Sequence, residues 1–431
     1  MHSDARAPHA PHAPHRLDLS RSARLALVVL TGMNLLNYLD RFVVSALVES
    51  LKGSELHLTD TQCGALGTAF MIVYMATSPL FGALGDRRDR PRLIAFGVAL
   101  WSAATAAAGF ARGFVSLFAA RATVGVGEAA YGTISPAMLA DYFPKEQRGR
   151  VFAVFFSAIP IGSALGYVLG GLVDKHFGWR AAFFVAGVPG ILLASSALLL
   201  KDPPRGAHDE DGHTARASGT GVLSAYRDLL RNVPYGLTVL GYAAYTFALG
   251  AMAFWMPAFL ERVRGVPKEE ATVTFGAIVV VTGFVGTFAG GWLGDHLLRY
   301  THQSYLWVSG AATLLAVVPA ALALTSPSPA VFYTATVIAE VLVFASTGPI
   351  NSAIVNLVAP TERATAVAMS IFAIHLLGDV PSPPLVGALS DASSLDRAVL
   401  IIPVVFMLSG LIWCFAAWHG RTGAGSREQG A

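Results

Sequence analysis

Apolar positions along this chain gather into long blocks instead of short stripes of helical or strand period. Such blocks run at about 24–50, 61–84, 92–112, 114–141, 149–173, 179–200, 233–260, 271–294, 303–324, 330–357, 363–389 and 397–418. Each is long enough to cross a hydrocarbon core of about 30 Å as a helix. Backbone polar groups in lipid must bond within their own segment, so the pattern predicts twelve spanning helices. The longest hydrophilic interruption, Lys201 to Arg231, is rich in Gly, Asp, His and Arg and divides six spans from six. The expected organisation is an all-α polytopic membrane protein: a tail over 1–23, a six-helix bundle over 24–200, a linker over 201–231, a second six-helix bundle over 232–419 and a tail over 420–431.

Composition narrows the function classes. Hydrophobic residues make up 54% of the chain and charged residues 13%, where soluble domains carry about 25% charge. A water-soluble fold is excluded on that ground. The net charge of +3 is scattered, with no basic stripe of the kind that tracks a phosphate backbone, so nucleic acid is not expected as a partner. Cys63 and Cys414 lie in separate apolar blocks and support neither a disulfide framework nor a metal cluster. The run Ala7 to His15, which alternates Ala-Pro and His, cannot bury anything and reads as a disordered cytoplasmic tail; its prolines disfavour a compact site for His9, His12 and His15. The first apolar block is too long for the core of a signal peptide, and none is expected.

Lys and Arg set the expected orientation. With the N-terminus inside, twenty of them fall on inner segments, eight on outer segments, and Arg41 and Arg121 remain within the bilayer. The bias predicts that both termini are cytoplasmic; the expected location is a bacterial inner membrane.

Two segments repeat in corresponding places. Gly82-Ala83-Leu84-Gly85-Asp86-Arg87 ends the second span and Gly291-Trp292-Leu293-Gly294-Asp295-His296 ends the eighth. The first, continued through Arg88, Asp89 and Arg90, resembles the loop motif of the major facilitator superfamily. That resemblance implies the major facilitator fold, with Gly82, Gly85, Asp86, Arg87, Arg90, Gly294 and Asp295 as gating residues. Glycines there allow close helix approach, and Asp86 is expected to take hydrogen bonds from a neighbouring helix N-terminus or an arginine. In the fourth span, Arg121 to Glu128 resembles the superfamily's Arg-x-x-x-Gly-x-Gly pattern. Gly125 and Gly127 lack the preceding strand and third glycine of a dinucleotide site.

Asn34, Asn37, Tyr38, Asp40 and Arg41 interrupt the first span near its middle. A charge at that depth costs about 2.5–3.5 kcal/mol on insertion scales, so these groups must meet water or one another. Neighbours on a helix point about 100° apart, so Asp40 and Arg41 need partners on other helices. Arg121 and Glu128, two turns apart on one face, are expected to supply them. Asp40 and Glu128 are the candidate proton carriers, because movement of an arginine relative to either would make protonation depend on conformation. Gly162, Gly166 and Gly170 in the fifth span form a small-residue face without the Gly-Pro pair of the antiporter motif.

The eleventh span reads His375-Leu376-Leu377-Gly378-Asp379-Val380-Pro381-Ser382-Pro383-Pro384, dense in helix breakers. With Asn37-Tyr38-Leu39-Asp40-Arg41 and Gly125 to Ala129, it resembles the Spinster family, carriers of sphingosine-1-phosphate and lysophospholipids. The resemblance implies a proton-linked lipid carrier with Asp40, Arg41, Arg121 and Glu128 in its central polar site. Asn37, Tyr38, Tyr131, Phe254, Trp255 and His375 join them as candidate substrate residues, and Asp379 joins the gate. Phe254, Trp255, Phe259, Phe344 and Phe372 make the C-terminal half apolar enough to house a lipid tail. The first-span pattern also resembles anion:cation symporters, which leaves a proton-coupled carrier of a small organic anion, sugar acid or drug as the alternative. No Gly-x-x-x-x-Gly-Lys loop, His-Glu-x-x-His pair or nucleophile elbow occurs, so neither an enzyme nor an ATP-driven pump is expected. The expected coupling ion is the proton, with no other cofactor and no metal; the expected partners are an amphiphilic substrate and membrane lipids, and the protein is expected to be monomeric.

Overall fold

The computed structural model describes residues 20–205, 229, 231–358 and 363–428. The N-terminal bundle holds α1 (Arg21–Ala46), a short α2 (Val48–Gly53), α3 (Asp60–Arg87), α4 (Arg90–Ala108), α5 (Phe114–Tyr142), α6 (Lys145–Phe177) and α7 (Trp179–Ala197). The C-terminal bundle holds α8 (Val233–Arg262), α9 (Lys268–Leu297), α10 (Ser304–Thr325), α11 (Pro329–Phe344), α12 (Thr347–Asn356), α13 (Arg363–Ile374), α14 (Ser382–Ala392), α15 (Leu395–Ala398) and α16 (Ile401–Glu428). Among the described residues eleven helices, some assembled from two of these segments, are long and apolar enough to cross a membrane. The twelfth span is α5, whose hydropathy is lowered by Arg121 and Glu128; the helix missing from that count is the one that carries charge.

Local chemistry starts and stops the helices. Thr59 caps α3 by accepting from the Gln62 amide while the Gln62 side chain accepts from the Thr59 amide, a reciprocal capping box. Ser20, Asp89 and Asn232 cap α1, α4 and α8 by accepting from the Ala23, Arg92 and Tyr235 amides. The proline cluster of the eleventh span divides it: α13 ends in a π-helical turn, His375–Asp379, and α14 begins after Pro381.

Within the first bundle α1 packs on α6 and α4 on both α5 and α7; in the second, α16 packs on α8 and α10. The small-residue face of α6 serves the first of these contacts, where Gly162 and Gly166 meet the Leu35 and Leu39 carbonyls. The bundles meet mainly through α3 against α14 and α6 against α9. These contacts concentrate at the end where α3 begins and α8 finishes. A Cβ on Gly64 would sit 2.4 Å from the Pro383 carbonyl oxygen, and one on Gly387 would sit 2.4 Å from that of Asp60. Only glycine allows backbones of two bundles to approach so closely.

Polar groups then cover the same end. Arg262 of α8 donates to Asp60 at 2.6 and 2.8 Å and to Glu49 at 2.5 and 3.0 Å. Asp391 of α14 accepts from the Asp60 and Thr61 amides at 2.9 and 2.8 Å, so an anion from one bundle caps a helix of the other. Lys175 pairs with Glu269 at 2.5 Å, and Lys268 pairs with Asp174 and Ser50. Away from this closed end a cavity of about 640 Å³ separates α1 and α6 from α8, α9, α11 and α12.

Candidate transport site

Four charged side chains meet inside the N-terminal bundle, brought together from α1 and α5. The 100° step along α1 sends Asp40 and Arg41 to different partners. Asp40 lies 3.4 Å from Arg121 and accepts a 2.6 Å hydrogen bond from the Thr105 hydroxyl of α4. Arg41 donates through Nε to Glu128 at 2.7 Å. Asp40, Arg121 and Glu128 are buried to within 1% of complete exclusion. Two carboxylates and two guanidinia thus balance in charge, as burial requires.

Aromatic rings enclose Arg41, the less buried of the two cations. The Arg41 guanidinium lies 4.8 Å from the Tyr38 ring centre, 4.9 Å from Phe70 and 5.2 Å from Tyr74, and Arg121 shares Phe70 at 5.6 Å. Such contacts stabilise a desolvated cation by about 2 kcal/mol or more. Tyr38 is also a cavity-lining residue, so its ring stands between the charged group and the space between the bundles. Three buried polar atoms here have no hydrogen-bond partner: Asn37 Nδ2, Arg121 Nε and Glu128 Oε1. An orphaned buried donor or acceptor costs about 1–3 kcal/mol. Capacity for further hydrogen bonds is therefore built into the quartet.

The cavity itself is apolar. Phe42, Phe156, Phe275, Phe284, Phe288 and Phe344 contribute to its wall. Of the aromatic residues expected to hold a tail, Phe344 is there. Phe254 and Trp255 are buried in the packing near the closed end, Trp255 donating to the Pro383 carbonyl at 3.0 Å and Phe254 lying against the Gly67 position. Phe259 stacks under Arg264, and Phe372 is 55% exposed. Tyr131 is a packing residue, its hydroxyl donating to the Leu30 carbonyl at 2.6 Å with its ring edge-on to Trp101.

In the π-helical turn His375 Nδ1 and Asp379 Oδ2 are 2.8 Å apart, four residues along the chain, so the two candidates form one pair. At the loop motif, Arg90 binds Asp141 at 2.6 Å, Asp202 at 2.6 Å and the Pro203 carbonyl at 2.5 Å, tying α4 to α5 and to the start of the linker. Gly85 permits close approach to Ile134 of α5, whereas a Cβ at Gly82 would meet open space. Arg87 ends α3; the Asp86 side chain lies outside the described residues. In the second copy of the motif, Asp295 accepts from the Tyr305 hydroxyl at 2.8 Å and Gly294 lies against the same ring. Both motif copies thus hold helices within their own bundle.

A balanced pair of ion pairs in a membrane helix bundle, beside a cavity between two bundles of parallel topology, is the layout of an alternating-access carrier. Residues 30–377 match the Major Facilitator Superfamily. Relatives narrow this further: the chain is 34% identical to protein spinster homolog 3 of Danio rerio over 93% of its length and 86% of that protein. It is 32% identical to the sphingosine-1-phosphate transporter SPNS2 of Xenopus tropicalis, covering 92% of this chain and 82% of that one. The chain belongs to the Spinster family of the major facilitator superfamily. Among solved structures, a bacterial homolog to human lysosomal transporter, Spinster, in an inward-facing and unoccupied conformation superimposes with a TM-score of 0.84 at 23% identity, over 92% of this chain and 97% of that one. A D-xylose-proton symporter superimposes with a TM-score of 0.72 at 16% identity, over 91% and 97%. This Spinster-family chain is therefore a multi-pass membrane transporter and not an enzyme.

The quartet is legible in the sequence, whereas its surroundings are not. Phe70, Tyr74 and Thr105 carry no signal in an apolar helix, and only the fold brings them to Arg41 and Asp40. The latch of Arg262, Glu49, Asp60 and Asp391 was hidden at span ends, where charged residues are ordinary. Glu340 does carry a signal, as an acidic residue inside the apolar run Pro329–Phe344.

Proposed function

We propose that this protein moves an amphiphilic lipid of the lysophospholipid or sphingosine-1-phosphate class by proton-coupled alternating access. The observation that carries the reading is the juxtaposition at Tyr38: an apolar cavity of about 640 Å³ on one side of the ring and the Arg41 guanidinium on the other. An acyl chain gains about 0.8 kcal/mol for each methylene it takes out of water, so the phenylalanine-lined wall suits a tail and the guanidinium suits an anionic head.

Coupling follows from competition for that guanidinium. Arg41 is held by Glu128 at 2.7 Å, and removing one partner of a buried pair costs about 3–5 kcal/mol because the other charge is stranded. An arriving head-group anion replaces the carboxylate only if Glu128 is neutralised, and a proton does so. Asp40 repeats the relation with Arg121. Anion and proton accordingly load together, and Asp40 and Glu128 are the proton carriers of the cycle. With the termini in the cytoplasm, the closed latch faces outward and the cavity belongs to the inward-facing half of the cycle.

The test is flux in liposomes under an imposed pH gradient, with a labelled lysophospholipid or sphingosine-1-phosphate beside a small organic acid. The expected result is gradient-driven lipid movement that is lost in Asp40→Asn. Movement of the organic acid alone would replace the lipid cargo by an anionic metabolite, and lipid flux indifferent to the gradient would remove the coupling.

A further inference from the structure

Glu340 is a further buried carboxylate, outside the quartet and, among the described residues, without a balancing cation. It is fully excluded from solvent, yet it borders the cavity between the bundles. One oxygen, Oε2, lies 2.7 Å from the Thr282 hydroxyl of α9; the other, Oε1, has no hydrogen-bond partner. Around it, α8 contributes Met252 and Met256, α9 Val279 and Gly283, α10 Ala320 and Ala323, and α16 Ile402. The other titratable groups on the cavity wall are Tyr38 of α1 and Tyr167 of α6, and the Tyr167 hydroxyl is committed to the Ala253 carbonyl at 2.5 Å. No Lys, Arg or His lines the cavity or the apolar shell behind Glu340 among the described residues.

Thr282 makes the site able to exist in two states. Its single hydroxyl proton has two close acceptors, Glu340 Oε2 at 2.7 Å and the Ile278 carbonyl at 2.7 Å, with the Val279 carbonyl farther off at 3.4 Å. A hydroxyl donates once but accepts as well. When Glu340 is ionised, Thr282 donates to it. When Glu340 is protonated, its O–H donates to Thr282, which turns its own proton to Ile278. Both states satisfy the pair with the heavy atoms where they stand. What they do not share is charge: the ionised form strands an anion in an apolar wall, which costs several kcal/mol unless a cation joins it.

Building on the reading of this cavity as the transport route, we propose that Glu340 is an exchange site where a proton and one cationic group of the cargo, a primary ammonium carried by an amphiphile, take turns as counter-charge. Arrival of the ammonium at the carboxylic acid gives a carboxylate–ammonium pair and sends one proton to solvent; departure reverses both. Glu340 thus discriminates cationic from neutral amphiphiles of equal tail length, and it makes cation loading and proton loading mutually exclusive.

The probes are octylamine and octan-1-ol, titrated calorimetrically into the whole protein in nanodiscs, in buffers of different ionisation heat so that released protons are counted. Octylamine is expected to bind with release of one proton and with an affinity that weakens as pH falls. In Glu340→Gln, which keeps the shape and the Thr282 contact, octylamine affinity is expected to fall about tenfold or more, with proton release abolished and octanol binding unchanged. The proposal is overturned if wild-type protein binds octylamine without releasing a proton, if it does not bind it, or if the variant weakens amine and alcohol equally. The proton count on wild type decides even if the variant fails to fold. Loss of lipid flux in liposomes would sink the proposed cargo and leave this binding result standing, whereas absence of proton release beside intact flux would sink Glu340 alone.

Discussion

Replacing Gly64 by alanine places a methyl group where the two bundles touch backbone to backbone. The new carbon would lie 2.4 Å from the Pro383 oxygen and 2.5 Å from its carbonyl carbon, and ordinary contact begins at 3.4 Å. Neither neighbour is a flexible side-chain tip, so α3 and α14 must separate by about 1 Å. Overpacking of this size costs about 1–3 kcal/mol. The bundles are separate bodies, and rocking them apart relieves the clash without unfolding either. The whole cost therefore falls on the closed conformation, and the population open at the latch end rises by about 5- to 150-fold. Cys63 reports this directly. It is fully buried, one residue from the contact, and beside the Asp60 carboxylate. In a Cys414→Ala background, which leaves Cys63 as the single thiol, the rate of modification by a membrane-impermeant maleimide should rise by that factor in Gly64→Ala. An unchanged rate together with a lowered melting temperature would show that α3 absorbs the clash locally, and the contact would not be the closure point.

Arg262→Ala removes the donor shared by Glu49 and Asp60 across the bundles and leaves Asp60 only its partners Lys52 and Ser390, at 2.6 Å each; Cys63 labelling should rise about tenfold, and 0.5 M salt should narrow the difference from wild type, since the pair is partly exposed. Asp40→Asn and Glu128→Gln should each flatten the pH dependence of transport and abolish acceleration by an imposed gradient, measured as initial flux in liposomes; a retained gradient response in both would exclude the quartet from coupling. Arg41→Lys keeps the charge but loses the planar contact with Tyr38, Phe70 and Tyr74. It should raise the half-saturating lipid concentration about tenfold, at a loss of about 1–2 kcal/mol, with a smaller change in maximal rate.

Most of the fold was legible because the membrane imposes its rules on sequence. Apolar block length predicted the spans, and buried charge predicted Asp40, Arg41, Arg121 and Glu128 as one network. Pairing within that network was not legible. The sequence shows that Asp40 and Arg41 point apart, but their partners depend on the rotation of α1 against α5, which packing sets. The apolar side chains behaved likewise: Trp255 and Phe344 are equally plausible as cavity wall by composition, and only one of them is there. Breaks inside spans were blurred too, since α1 ends at Ala46 and α2 begins at Val48 within one continuous apolar block.

The asymmetry between the two kinds of charge cluster bears on how such a carrier moves. In the quartet Asp40, Arg121 and Glu128 are fully buried and only the Arg41 side chain keeps partial exposure, 19%, so stranding any of the three costs several kcal/mol. At the latch every pair has a partner that reaches solvent: Arg262 is 24% exposed, and Lys175 and Glu269 are 45% and 28% exposed, although the Asp60 carboxylate is buried; an exposed pair such as Lys175–Glu269 is worth about 0–1 kcal/mol. Several such pairs, with a borrowed helix cap at Asp391 and a glycine contact at Gly64, sum to a closure of a few kcal/mol. Two conformations separated by that amount are both populated. A cargo binding the cavity with differential affinity of the same size is then enough to shift the balance, and under the proposed coupling a proton at the quartet accompanies it.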